Sequence, residues 1–287
     1  MPPIDAIRAE GYRLLRNRAV LFWSVLFAPI CAVAFNTIGF LVMRANAAKL
    51  QASEIDLPMM RGELDLMEAM IRTASSLAGA PEALFLTVGA ATLFACDYRW
   101  ETWRLLTPRD SRFNLISGKI GVMKLLALVV IIAGILAGVA VSLIQAGVFS
   151  RPLTFDGGED AVVRWLGLIG LAWLRLIQFA LVSLLAAVLT RSLMAALLVP
   201  LVVGVVQAAL PSVLVPMGVP PDSWLTVLLS PGTAYQMLSS PLVATGPGAV
   251  SLEAATALKA WLSLALWLTV PAALALLAFS RQDLSKE

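Results

Sequence analysis

Two groups of polar side chains in this sequence have types and spacing from which chemistry could be built. The first is a run between two apolar stretches, Asp97-Tyr98-Arg99-Trp100-Glu101-Thr102-Trp103-Arg104-Leu105-Leu106-Thr107-Pro108-Arg109-Asp110-Ser111-Arg112. Charges of both signs alternate with tryptophan here, and Trp and Arg are enriched where a partner's pocket is filled. The chemistry is recognition, with Trp100 and Trp103 supplying area and Glu101, Arg104, Arg109 and Arg112 supplying polar contacts. The second group is Arg175 with Gln178 one turn on, together with Asn36 and Gln207, each inside an otherwise apolar stretch. A charge at the centre of a bilayer costs about 2.5–3.5 kcal/mol on insertion scales, so Arg175 should face protein or water rather than lipid. These four residues suit the polar wall of a pathway. The competing reading makes Arg175 a structural partner of Glu82 or of backbone carbonyls on a neighbouring helix.

What the sequence lacks narrows the field. The 287 residues include no histidine, which excludes every His-based metal site, triad or proton relay. Two cysteines, Cys31 and Cys96, cannot make a four-ligand zinc site or an iron–sulfur cluster. Their different depths in two apolar runs argue against a disulfide. No catalytic residue and no metal ligand is assigned.

The elements that must position these groups are helices crossing a membrane. The chain is 60% hydrophobic and 14% charged, with a mean hydropathy of +0.87, and soluble domains carry about a quarter charged residues. Runs long enough for the ~20 residues of a crossing helix fall at about 19–43, 78–96, 119–148, 164–189, 193–215 and 258–279. Six spans in one all-α membrane domain over 1–287 follow, with Glu82 and Arg175 as their only clearly buried charges. Ahead of them, residues 1–18 are basic and helical in pattern. Ile4, Ile7, Gly11, Leu14 and Leu15 share one face and Asp5, Arg13, Arg16 and Asn17 the other, the pattern of an interfacial helix. The apolar run that follows is too long for the core of a cleaved signal peptide. Lysine and arginine set the orientation: four arginines precede the first span and six basic residues lie between Arg99 and Lys124, while Glu54, Asp56, Glu63, Asp65 and Glu68 cluster in the loop on the other side. The expectation is a multi-pass protein of the inner membrane with both termini cytoplasmic.

The exposed segments, about 44–77, 97–118 and 216–257, are too short for an ordinary domain of about 100 residues. The chain also has no phosphate-binding loop. Gly118-Lys119 has Phe113 where the first glycine would stand, and Ile120 follows the lysine. Any ATP-driven work needs a partner. Residues 97–107 read as a helix ending before Pro108, and Asp110 or Ser111 as the cap of a second short helix running into the third span. A plain basic loop with interfacial tryptophans accounts well for the arginines, but poorly for a helix–proline–helix of this length carrying both charge signs and two tryptophans. Met60, Leu64, Met67 and Ile71, with Met59 and Met70 beside them, have helical spacing. Thioethers suit Cu(I), but such a stripe more commonly packs an amphipathic helix. Gly134 and Gly138 permit a close helix approach.

In its order of residues, Thr102-Trp103-Arg104-Leu105-Leu106, Pro108, Ser111-Arg112 and Gly118-Lys119, the 97–119 segment resembles the inner loop of ABC-2 type permeases. That family commonly has a Gly-Thr pair, two leucines, then Pro, Ser-Arg and Gly-Lys; Glu101 stands where it often has glycine. The resemblance implies a permease subunit of an ATP-driven exporter, with an elbow helix at 1–18 and a cytoplasmic coupling helix in 97–118. Short re-entrant helices are implied around Ser230-Pro231, at Trp224 to Leu229 and Ala234 to Leu238. It further implies two copies of a cytoplasmic ATPase carrying ATP and Mg, docked on Trp100, Glu101, Trp103, Arg104, Arg109 and Arg112. A second copy of this permease or a related one would complete the assembly, with no cofactor on this chain and no nucleic acid. A self-sufficient secondary transporter or membrane-embedded enzyme is the alternative. A largely apolar pathway points to an amphipathic or hydrophobic cargo.

Overall fold

A computed structural model describes residues 3–47, 62–100, 102–103, 111–158, 160–244 and 252–282. Six of its helices are long and apolar enough to cross a membrane, so this is a multi-pass membrane protein. A helix satisfies its own backbone polar groups, which hydrocarbon cannot do. In chain order, helix α1 covers Pro3–Arg16 and α2, the first span, Arg18–Ala45. Helix α3 covers Leu66–Ser76 and α4, the second span, Ala80–Arg99. The third and fourth spans are α5, Arg112–Phe149, and α6, Ala161–Thr190. The fifth is α7, Leu193–Leu214, followed by the short helices α8, Trp224–Leu229, and α9, Pro231–Val243. The sixth span is α10, Ala254–Arg281.

The spans alternate in direction. One end of the bundle gathers α1, the end of α4, the start of α5 and the end of α10, and we call it the terminal end. There Tyr98 donates its hydroxyl to Gln282 Oε1 at 2.9 Å, and the Gln282 amide donates to Val188 O at the end of α6. Helix α6 is the central pillar, with 72% of its most apolar stretch buried, packed against α3, α4, α5, α7, α9 and α10. Helix α2 is peripheral, only 11% buried, and presents Phe35, Ile38 and Leu41 outward, as a lipid-facing helix must.

Glycines set the closest approaches. A Cβ on Gly134 would lie 2.3 Å from Leu77 Cδ2, and one on Gly138 would lie 2.4 Å from the Thr73 side chain. The pair therefore seats α3 and the turn after it against α5. Gly118 and Gly121 do the same for α1, where added Cβ atoms would meet Ala6 at 2.9 Å and Ile7 at 2.7 Å.

Several sequence-based expectations change here. The helix of the third span already begins at Arg112, because Ser111 accepts Asn114 N at 3.2 Å and caps one unbroken helix through 119; residues 104–110 lie outside the described residues. The face of α1 is turned. Ala6, Glu10 and Leu14 are buried, whereas Ile4 and Leu15 are 63% and 68% exposed. Polarity alone misassigns this face because Glu10 enters the bundle as half of an ion pair. Glu82 and Arg175 are also not the only buried charges: Asp97, Lys119 and Arg164 are all buried, and Glu82 is only half-buried.

At the far end, β1 (Leu64–Asp65) and β2 (Leu153–Thr154) form a two-residue parallel ladder. Asp65 accepts Met67 N at 2.8 Å, capping α3, and Gly157 N at 2.7 Å from the loop before α6. Burial raises this carboxyl, but the backbone N–H groups of Gly157, Glu68, Met67 and Asp156 outweigh that and hold it below its ordinary value. Arg164 bonds Glu68 at 3.2 Å and Gly157 O at 2.6 Å. Leu64, Met67 and Ile71 are buried, Met67 and Ile71 in one cluster with Ala161 and Leu168 of α6, as a packing stripe should be; Met59 and Met60 lie outside the described residues.

Candidate functional site

Polar side chains converge at two levels of the bundle. At the terminal end, Asp97 in the last turn of α4 is fully buried. Its carboxylate receives Lys119 Nζ from α5 at 2.5 Å, Arg13 Nη2 from α1 at 2.7 Å and the Thr102 hydroxyl. Lys119 also reaches Glu10 Oε2 at 3.1 Å and donates to Leu93 O at 2.9 Å, while Arg13 pairs with Glu10 at 3.0 Å. Two cations balance two carboxylates, and three helices meet on them.

The loop that follows is anchored at both ends. Trp103 is 3% exposed and packs between Tyr98 and Phe279 at tilted angles, with ring centroids 5.6 and 4.6 Å away, while Lys119 lies 5.3 Å from its centroid. Arg112 reaches the carbonyls of Phe279, Ser280 and Gln282 at 3.0, 2.9 and 2.7 Å. These carbonyls cluster at the C-terminal end of α10, where a cation is favoured. Trp103 and Arg112 are thus held by this chain's own bundle, whereas Trp100 is 69% exposed. Glu101, Arg104 and Arg109 lie outside the described residues, as does most of the expected helix before Pro108.

At mid-depth, Arg175 stands halfway along α6 and is 7% exposed. Its Nη1 donates to Gln178 Oε1 at 2.9 Å and its Nη2 to Gln207 Oε1 on α7 at 3.0 Å. Gln178 Nε2 donates to Leu264 O on α10 at 3.1 Å, which turns its oxygen toward the arginine. The guanidinium also lies 4.5 Å over the Phe179 ring. Three of the four residues grouped by polarity therefore touch. Among the described residues Arg175 bonds these two side-chain amides, not Glu82 or a backbone carbonyl. Ser230 Oγ donates to Gln207 O at 2.8 Å and also caps α9, so the first turn of α9 lies beside Arg175. A Cβ on Gly232 would sit 3.4 Å from Arg175 Nη2. The other end of α9 meets Arg164, which lies near Leu242 O at 3.5 Å. Arg164 and Arg175 are about 16 Å apart along α6 by helical rise.

Beside Arg175 is a cavity of about 620 Å³, walled by α4, α6, α7 and α9. Asn36 is elsewhere. It donates to Ala32 O at 2.8 Å and lines a smaller polar cavity of about 210 Å³, shared with Ser24, Thr73, Ser76, Glu82 and Ser142.

The sequence reading missed Glu10, Asp97 and Lys119 as a cluster. The available signal was Glu10 at helical spacing with Ile7 and Leu14, and a lysine beside Gly118 at the mouth of an apolar run. Among the described residues no group of three or more Cys, Asp or Glu could hold a metal. Fold and site together define a multi-pass membrane protein with a braced loop at one end and, in its middle, a cation that pairs with no carboxylate among the described residues. The chain matches no family model, no curated protein and no solved structure.

Proposed function

We propose that this chain is the permease subunit of an ATP-driven exporter, resembling ABC-2 type permeases, in which a separate ATPase docks on the 97–112 loop. In this reading two copies flank a central pathway, or one copy pairs with a related permease. ATP and Mg belong to the two cytoplasmic ATPase subunits. The terminal end faces the cytoplasm, α1 is the elbow, and α8 and α9 are the re-entrant pair between the fifth and sixth spans. The observation that carries the reading is the bracing of the loop. One flank is tied through Asp97 to α1 and α5, the other through Arg112 to α10, and Trp103 wedges between α4 and α10. A push on such a loop moves four helices together, whereas a passive connector needs none of these ties. The depth of α9, from Arg164 to Arg175, supports the re-entrant assignment.

Among the described residues, the buried carboxylates Asp97 and Glu10 favour a proton-coupled secondary transporter. Both are engaged by Lys119 and Arg13, so they serve better as a fixed joint than as a proton carrier.

The test starts from Trp100, which the loop exposes. Trp100→Ala combined with Arg104→Ala should weaken co-purification of the ATPase at least tenfold, or leave it bound but uncoupled from transport. Normal assembly together with normal transport would reduce the loop to an ordinary basic connector. Trp103→Ala is unsuited to this test because it opens the bundle.

A further inference from the structure

We propose that the cavity beside Arg175 binds a membrane amphiphile with one anionic head, a phosphate monoester or a carboxylate, whose charge supplies the partner that Arg175 lacks. Buried cations are normally paired with an acid. Among the described residues no carboxylate forms an ion pair with Arg175; its hydrogen bonds go to two neutral amides. A guanidinium has five N–H donors, and the three not used by Gln178 and Gln207 find no acceptor among the described residues. The first turn of the 13-residue helix α9 adds its positive end to the same point. The local potential is therefore positive twice over, and no carboxylate among the described residues pairs with it.

The rest of the cavity selects the other half of the ligand. Ala83, Leu84, Leu201, Val205 and Ala208 are carbon walls, and Arg175 and Gln236 are its long polar side chains. A volume of about 620 Å³ lies within the roughly 300–1,000 Å³ of small-ligand sites. Leu84 and Val205 on its wall are exposed on the side of the bundle, so the cavity opens toward hydrocarbon. A soluble anion would leave these walls unused. A zwitterion would bring a second cation to a site that already has one too many. An acyl tail along the walls with its anionic head at Arg175 satisfies both. As the site of an exported cargo this rests on the exporter reading; as a binding site it does not.

The experiment uses the purified full chain in phosphatidylcholine nanodiscs, with no ATPase present, so its failure is separate from failure of the exporter reading. Binding of oleoyl-lysophosphatidate and oleate is compared with oleoyl-lysophosphatidylcholine and inorganic phosphate. The anionic amphiphiles should bind at least tenfold more tightly than the zwitterion of equal chain length, and millimolar phosphate should not displace them. Arg175→Gln should erase that preference, Arg175→Lys should keep part of it, and Ala208→Phe should weaken the anionic amphiphiles by filling the cavity. Equal binding of anionic and zwitterionic probes would overturn the proposal. So would preference retained in Arg175→Gln, or displacement by phosphate alone. If Arg175→Gln does not fold, Arg175→Lys and Ala208→Phe decide: a reduced preference in the first and a weakened affinity in the second support the site, and unchanged binding in both overturns it.

Discussion

Lys119, Arg13, Asp97 and Glu10 form a closed set of charges, and removing one member strands another. Breaking a buried ion pair from one side costs about 3–5 kcal/mol, because the remaining charge stays buried without compensation. Lys119→Met should therefore destabilise the folded protein by roughly that amount, measured by denaturant titration in detergent micelles. Adding Asp97→Asn should recover much of the loss, since Arg13 and Glu10 then balance each other. A Lys119→Met protein as stable as the parent would mean that the cluster carries no structural weight. At this scale the sequence was only partly readable. Arg175, Gln178 and Gln207 were grouped by polarity, and contact follows because Gln207 falls on a helix packed against α6. Asp97 and Lys119 looked like loop charges because each stands at the edge of an apolar run, where hydropathy does not separate a solvated end from a buried joint.

Among the elements, α1 shows how close approach and charge act together. Its seat on α5 exists because Gly118 and Gly121 leave room for Ala6 and Ile7, and that seat brings Glu10 to Lys119. The contact at Gly118 includes the Ala6 backbone at 3.1 Å, which cannot rotate aside as a side chain can. Gly118→Val should thus lift α1 and expose it to trypsin at Arg8 and Arg16, with cleavage at least tenfold faster than in the parent. Gly147→Val, on the same helix with nothing within 4 Å, serves as the control. Equal cleavage rates in the two variants would mean that α1 does not depend on this seat. The six long helices were legible because length and apolarity are local properties. The facing of α1 was not, because Glu10 is polar in sequence and buried in place, a conflict that only its partner on α5 resolves. The continuous start of the third span was half-legible: Ser111 was a candidate cap, but a cap does not say whether the helix behind it breaks.

For the whole molecule, the proposed function joins a membrane bundle to a motor, an ATPase on a separate chain. The bundle, its alternation and its apolar exterior follow from composition. The motor is inferred from a loop whose anchors spread over α1, α4, α5 and α10. The most direct measurement is site-specific crosslinking in intact cells. Cys31 and Cys96 are first replaced by serine, a single cysteine is placed at Thr107, and a second is placed at Thr154 on the far end in a separate variant. With a short bifunctional reagent, the Thr107 variant should trap a protein that carries a phosphate-binding loop and hydrolyses ATP, and the Thr154 variant should not. No ATPase at Thr107 in a chain that is folded and abundant, or the same ATPase trapped from Thr154, would contradict the account.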